Sequence, residues 1–295
     1  MRPAAVRSSI APRLDQWLVD QGRAATRSAA QAAIMAGLVT VDGQPADKPG
    51  RRVATGAVVE IRRPHDPYAS RGGVKLAHAL AVFGLDVRGK VAVDLGASTG
   101  GFTDCLLRAG ASRVYAVDVG RGQLAGRLRN DPRVVCLEGV NARYLTADRV
   151  GGPSDLVTID LAFISLRLVW RPVAGVVTER GSVIALVKPQ FEAGRAQVGR
   201  GGVVRDPDVH RAVLGAVLES ALAARLAPVG VTPSPITGPA GNIEFFVHLS
   251  PGAHDELPAG AIEAAVAEAH ARFSPGPEDA RGPAPAGAPV RPRRP

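Results

Sequence analysis

The 295-residue sequence predicts an α/β protein in two parts, a small α+β module followed by a larger domain on a mostly parallel sheet. Three observations lead there. From about residue 91 to residue 226, short apolar runs alternate with helical patterns, the order that builds a parallel sheet covered on both faces. The run V-A-V-D-L at 91–95 passes directly into a glycine-rich turn, G-A-S-T-G-G. A stretch with two prolines and no periodicity, P-H-D-P-Y-A-S at 64–70, reads as a linker between the two parts. At 46% hydrophobic residues the chain has ample material for a core.

In the first part, Leu14, Trp17 and Leu18 form one apolar helical face that Gly22 ends. A second helix is expected from Ser28 to Met35, with Ala30, Ala33 and Ile34 inward and Gly37 as its stop. Leu38–Val41 followed by Asp42-Gly43 reads as a strand and a tight turn, and Val58–Ile61 as a closing strand. Residues 1–63 hold ten basic side chains against five acidic ones, so more than half of the chain's net charge of +9 sits on about a fifth of its length. A polyanionic partner follows from that imbalance. The N-terminus has arginines but no apolar signal core, and no stretch approaches the apolar length of a membrane span. Cys105 and Cys136 are too few for a disulfide framework or a metal site. A cytoplasmic protein without membrane association and without a metal is expected.

In the second part, a helix from Arg71 to Leu85, with Leu76, Leu80 and Phe83 on one face, leads into the sheet. Strands are expected near 91–95, 113–118, 133–137, 155–160 and 182–187, with helices near 101–110, 123–129, 165–178 and 209–226. Val229–Ile236 and Ile243–Leu249 are consecutive strands around Gly238-Pro239, so the sheet should finish in an antiparallel hairpin. A short helix at about 260–272 gives way to a Pro/Gly/Ala tail at 274–295, expected to be disordered.

The turn after the first strand of this sheet has the chemistry of a nucleotide-cofactor cradle. Gly96, Gly100 and Gly101 let the backbone bend sharply, and the following helix aims free N–H groups at a ligand. A dinucleotide fingerprint wants glycine where Ser98 stands, at the point where a pyrophosphate needs close backbone approach. Asp118, ending the next strand, lies where an acid can hold ribose hydroxyls. Adenosine with a compact tail fits best, which means S-adenosylmethionine. The cofactor candidates are Asp94, Gly96, Ala97, Ser98, Thr99, Gly100, Gly101, Phe102 and Asp118, with Asn141 beside the adenine; for Asn141 a helix N-cap is the plain alternative.

Asp160 in L-V-T-I-D-L and Lys188 in I-A-L-V-K-P close two neighbouring strands, where open α/β sheets place their active sites. By themselves they are equally a structural ion pair. Lys75 and Glu244 are two further charges in otherwise apolar stretches. Only four of the 36 basic residues are lysines (Lys48, Lys75, Lys90 and Lys188), so a lysine here marks a place where arginine will not serve.

In order and context, Lys75, Asp160, Lys188 and Glu244 resemble the Lys-Asp-Lys-Glu tetrad of the FtsJ-type RNA ribose 2′-O-methyltransferases. The words D-L-G-A-S-T-G-G-F-T, R-N-D-P-R-V-V, D-L-A-F-I-S-L, L-V-K-P-Q-F-E, Q-V-G-R-G-G-V-V-R-D-P and G-P-A-G-N-I-E-F-F resemble the TlyA family across roughly residues 13–250. At the N-terminus R-L-D-Q-W-L, G-R-A-A-T-R-S and G-L-V-T-V-D-G resemble the S-four-like RNA-binding domain. The resemblance implies a Rossmann-like class I methyltransferase fold, seven strands with an antiparallel last strand, and methyl transfer to cytidine in ribosomal RNA of one or both ribosomal subunits. It implies domains at 1–63 and 71–250 joined by the 64–70 linker, with a largely disordered extension at 251–295. Arg13, Arg23, Arg27 and Lys48 become contacts for RNA phosphates. Lys188 is expected to engage the 2′-hydroxyl, with Lys75 close enough to disfavour two ammonium charges and the two acids positioning the amines. A non-catalytic RNA-binding protein with a vestigial fold and a membrane-active haemolysin are the competing readings. The basic, glycine-rich segment Gly194–Gly202 reads either as a flap over RNA phosphates or as a plain surface loop. One departure is Asp66-Pro67-Tyr68-Ala69, where the family has an R-x-W-V-like tetrapeptide.

Overall fold

A computed structural model describes residues 11–24, 26–35, 37–61, 68–199, 201–252 and 257–273. Most of the 64–70 linker, Asp66 and Pro67 included, and the 274–295 tail lie outside the described residues. Contacts divide the chain into two compact units, Met1–Val74 and Lys75–Pro295.

In the first unit α1 (Leu14–Asp20) and α2 (Arg27–Met35) cover a three-stranded antiparallel sheet of β1 (Val39–Val41), β2 (Gln44–Pro45) and β3 (Val59–Ile61), ordered β2-β1-β3. Leu14, Leu18, Ala30, Ile34, Val39, Val41 and Val59 make its core. The β1–β2 turn uses Asp42 (φ 54°) and Gly43 (φ 75°), the two left-handed residues that a tight hairpin requires. Tyr68 lays its ring on Gly73, where a β-carbon would fall 2.2 Å from it.

The second unit follows the alternating pattern. After α3 (Gly72–Val82) come β4 (Val91–Leu95), α4 (Gly101–Arg108), β5 (Arg113–Asp118), α5 (Gly126–Arg129), β6 (Val134–Glu138), β7 (Ser154–Ile159), α6 (Trp170–Val176), β8 (Val177–Val187), α7 (Pro189–Glu192), α8 (Pro207–Ala223), β9 (Ala227–Pro233), β10 (Phe245–Ser250) and α9 (Ala261–Phe273). The seven strands run in the order β6-β5-β4-β7-β8-β10-β9. β4 to β8 are parallel, and β10 lies antiparallel between β8 and β9. The last strand is therefore internal. That suits its sequence: Phe245, Val247 and Leu249 fill one face while Phe246 packs on Phe102 on the other, ring centroids 6.1 Å apart.

One expectation needs correction. The helix expected over 165–178 is a 3₁₀ turn (Leu166–Leu168) and a shorter α6, because Val177 already pairs with Ser154 at the start of a long β8. The helix expected at about 260–272 is α9, whose Ala265, Val266 and Ala269 are buried in the main core. Among the described residues no helix is long and apolar enough to cross a membrane.

Candidate active site

The parallel strands open at their carboxyl ends onto a cavity of about 560 Å³, within the range of small-molecule sites. Gly96 and Ser98 from the β4 turn, Asp118 and Val119 after β5, Asn141 to Arg143 after β6, and Asp160 to Ile164 after β7 line it. Gly96 (φ 86°) admits no side chain, since a β-carbon would lie 2.4 Å from the Asp160 carbonyl oxygen. Ser98 keeps a left-handed backbone (φ 47°) and gives its N–H to Asp118 Oδ2 at 2.8 Å; Asp118 Oδ1 takes the Gly120 N–H at 2.7 Å. The acid expected at the ribose is thus held in place by two backbone donors, with its remaining lone pairs available to the cavity. Asn141 is the N-cap of a 3₁₀ turn, accepting the Arg143 N–H at 3.0 Å, and lines the cavity as well.

The other turn residues do not line it. Asp94 is fully buried beneath the turn, where it accepts the Thr103 hydroxyl at 2.7 Å and faces Thr158. Burial pushes its carboxyl up to about 7, with the Thr103 bond opposing and the charge of Asp160 adding to the rise. Asp94 braces the turn from beneath. Phe102 packs into the core, Gly100 makes room for Leu124 and Leu128, and Ala97, Thr99 and Gly101 are likewise absent from the lining.

The four charged residues come together as two pairs. Lys188, first past β8, sits 2.6 Å from Oδ1 of Asp160, first past β7, an ion pair by distance without hydrogen-bond geometry. Lys75 on α3 donates to Glu244 Oε2 at 2.5 Å, with side chains 9% and 1% exposed. The β8–β10 register pairs Val187 with Phe245, so one more step sets Lys188 opposite Glu244. Gly238 leaves room for Glu244, because a β-carbon there would fall 2.6 Å from its Oε1.

Supporting residues escaped the sequence reading. Glu192 on α7 accepts the Ser165 hydroxyl at 2.6 Å and the Leu166 N–H at 2.7 Å, tying the loop after β7 to the turn that carries Lys188. Burial pushes its carboxyl up, against those bonds. Within that loop Phe163 adopts a left-handed backbone (φ 63°) and is 90% exposed at the cavity rim, its ring 5.1 Å from Phe191. Asn242 binds the Val204 N–H at 2.9 Å and the Gly202 carbonyl at 2.9 Å, anchoring the far end of the glycine-rich segment.

In the first unit Arg13 and Arg27 both bind the fully buried Asp15, which also takes Gln31. The Arg13 guanidinium above all holds this carboxyl well below the usual carboxylate range. Arg23 and Lys48 are exposed.

Residues 68–250 match the family model described as FtsJ-like methyltransferase, and residues 12–59 match that of the S4 domain. The chain is 47% identical to a protein of Bacillus subtilis (strain 168) provisionally named rRNA methyltransferase YqxC, over 88% of this chain and 94% of that one. It is 46% identical to the 16S/23S rRNA (cytidine-2′-O)-methyltransferase TlyA of Mycobacterium tuberculosis, over 90% and 98%. A solved structure from Streptococcus thermophilus, described provisionally as a hemolysin, is 42% identical with a TM-score of 0.70, covering 90% of this chain and 98% of its own.

Proposed function

The chain belongs to the TlyA family, an S4 domain followed by an FtsJ-like methyltransferase domain, and on that premise we propose that it methylates the 2′-hydroxyl of a cytidine in ribosomal RNA. The observation that carries the reading is the pair of ion pairs, Lys188 with Asp160 and Lys75 with Glu244, with Lys188 and Glu244 on paired strands and Asp160 lining the cavity.

S-adenosylmethionine, when bound, supplies an electrophilic methyl group on sulfur. The cavity fits it: the Gly96 cradle admits close backbone approach, Asp118 offers free lone pairs to ribose hydroxyls, and Asn141 offers an amide to the adenine. A ribose hydroxyl is a poor nucleophile and must lose its proton as it attacks. Lys188 takes that proton onto Nζ, having first given up one of its own to water. Asp160 orients the Lys188 amine, and Glu244, opposite Lys188 in the strand register, holds Lys75. Arginine could supply charge here but could not accept the proton.

Residues 1–63 serve RNA binding through phosphate contacts from Arg13, Arg23, Arg27 and Lys48, residues 64–70 link, and residues 71–250 transfer the methyl group, with the 251–295 extension adding α9. Ribosomal subunits in the cytoplasm are the working substrate. The test is a map of 2′-O-methyl groups on ribosomal RNA, by reverse transcription at limiting nucleotide, from cells with and without the gene. A cytidine stop that disappears with the gene supports the reading, and identical maps overturn it.

A further inference from the structure

The three most exposed large hydrophobic side chains among the described residues are Phe163, Tyr144 and Val119, at 90%, 74% and 71%. All three lie in loops that follow the carboxyl ends of parallel strands. Val119 and Phe163 line the cavity, and Tyr144 directly follows Ala142 and Arg143, which line it too. Apolar exposure gathered around a ligand-sized cavity marks a binding surface, whereas scattered exposure would need no explanation.

Tyr144 has no part in the mechanism above. Tyr144 is not among the residues that line the cavity, and its side chain stands open to solvent. Its backbone is held at both ends of the turn: the Tyr144 N–H donates to the Asn141 carbonyl at 3.0 Å, and the Arg143 N–H donates to the Asn141 side chain at 3.0 Å. A flat ring on a stiff turn loses little freedom when something stacks on it.

Its position sets which part of a substrate it meets. Tyr144 follows β6, whereas Asp160 and Phe163 follow β7, and the order β6-β5-β4-β7 puts three strand spacings between them. At the strand ends that is about 14 Å across the sheet, so Tyr144 stands to the β6 side of a nucleotide whose ribose lies at Lys188 and Asp160.

Resting on the function proposed above, we propose that Tyr144 is a stacking platform for an unpaired nucleobase flanking the methylated nucleotide, with the exposed Arg143 beside it meeting the adjoining phosphate. The substrate presented to this face is then a single-stranded segment of RNA with at least one neighbour splayed out alongside the target. Stacking on a tyrosine face is tolerant of base identity, so the platform reads strandedness and leaves sequence to other contacts.

The test is steady-state kinetics on unmodified small and large ribosomal subunits, assayed separately, with the unsubstituted chain, Tyr144→Ala and Tyr144→Phe. Tyr144→Ala is expected to raise KM for the RNA substrate about tenfold, and Tyr144→Phe, which keeps the ring, to stay within about twofold. In both, kcat and KM for S-adenosylmethionine are unchanged. An unchanged RNA KM in Tyr144→Ala overturns the platform. So does a rise confined to the KM for S-adenosylmethionine, which would hand the ring to the cofactor. If the unsubstituted chain methylates neither subunit, the methyltransferase reading itself falls, and the platform with it.

Discussion

Lys75 and Glu244 are the most deeply buried charges in the proposed constellation, 2.5 Å apart and almost without solvent. Substituting Lys75 by methionine leaves a carboxylate that is 1% exposed with no cation beside it. Breaking a buried pair from one side costs about 3–5 kcal/mol. For a domain of this size each kcal/mol moves Tm by about 2–4 °C, so Lys75→Met should unfold about 6–20 °C below the unsubstituted chain. Adding Glu244→Leu removes the stranded charge and keeps apolar bulk in its place. Because apolar replacement of both partners is close to neutral, the double variant should regain most of that loss. Methyl transfer should not return with it, since both an amine and its acid are gone from beside Lys188. Thermal denaturation followed by circular dichroism, run with a methyl-incorporation assay on the same preparations, measures the two quantities separately. An unchanged Tm in the single variant would refute the burial argument. A double variant as active as the unsubstituted chain would refute the chemical role of the pair.

Lys188→Arg should lower methyl transfer by about 10²-fold or more while S-adenosylmethionine binding, followed by calorimetry, is kept; normal turnover would remove Lys188 as the proton acceptor. Gly96→Ala places a methyl group 2.4 Å from the Asp160 carbonyl oxygen at φ 86°. The left-handed backbone alone costs about 1–2 kcal/mol, so a lower Tm and weaker cofactor binding are expected, and equal values would show that the turn adapts freely. Asp94 has its folded value raised to about 7 from 3.8, so between those limits the native state binds more protons than the unfolded one. Its contribution to stability therefore falls as pH rises from about 4 to about 7, by about 4 kcal/mol at most. Urea titrations at pH 4.5 and pH 7.5 should show a stability gap between the unsubstituted chain and Asp94→Asn that changes with pH in that direction. A gap that does not change with pH would mean the carboxyl is ionised throughout.

What the sequence made legible was whatever one segment decides locally. Asp42-Gly43 forms the tight turn its composition demands, and the apolar runs of β4, β5, β7 and β8 lie where their patterns end them, with Asp160 and Lys188 one step beyond. Pairing between distant segments left less trace. Nothing around Asp94 announces Thr103 and Thr158 as its partners, so the bracing of the turn by this acid is not legible from the motif. Asp15 gathers Arg13, Arg27 and Gln31 from the start of α1 and from α2, and periodicity cannot separate an arginine tied in this way from an exposed one such as Arg23. Phe163 looks like one more apolar residue in D-L-A-F-I-S-L, and only its left-handed backbone in three dimensions turns it outward. The C-terminal helix was readable as a helix, but its alanines gave no sign that they complete the main core.

Chain order and spatial order part company at β10, which slots between two strands made earlier. During synthesis Lys188 and Asp160 emerge long before Glu244, so a nascent or truncated polypeptide carries the amine of Lys75 without its counter-ion. Such a fragment lacks one of the four charges of the proposed constellation. Because Glu244 directly precedes β10, that constellation is complete only once the chain has been made through the strand that slots between β8 and β9.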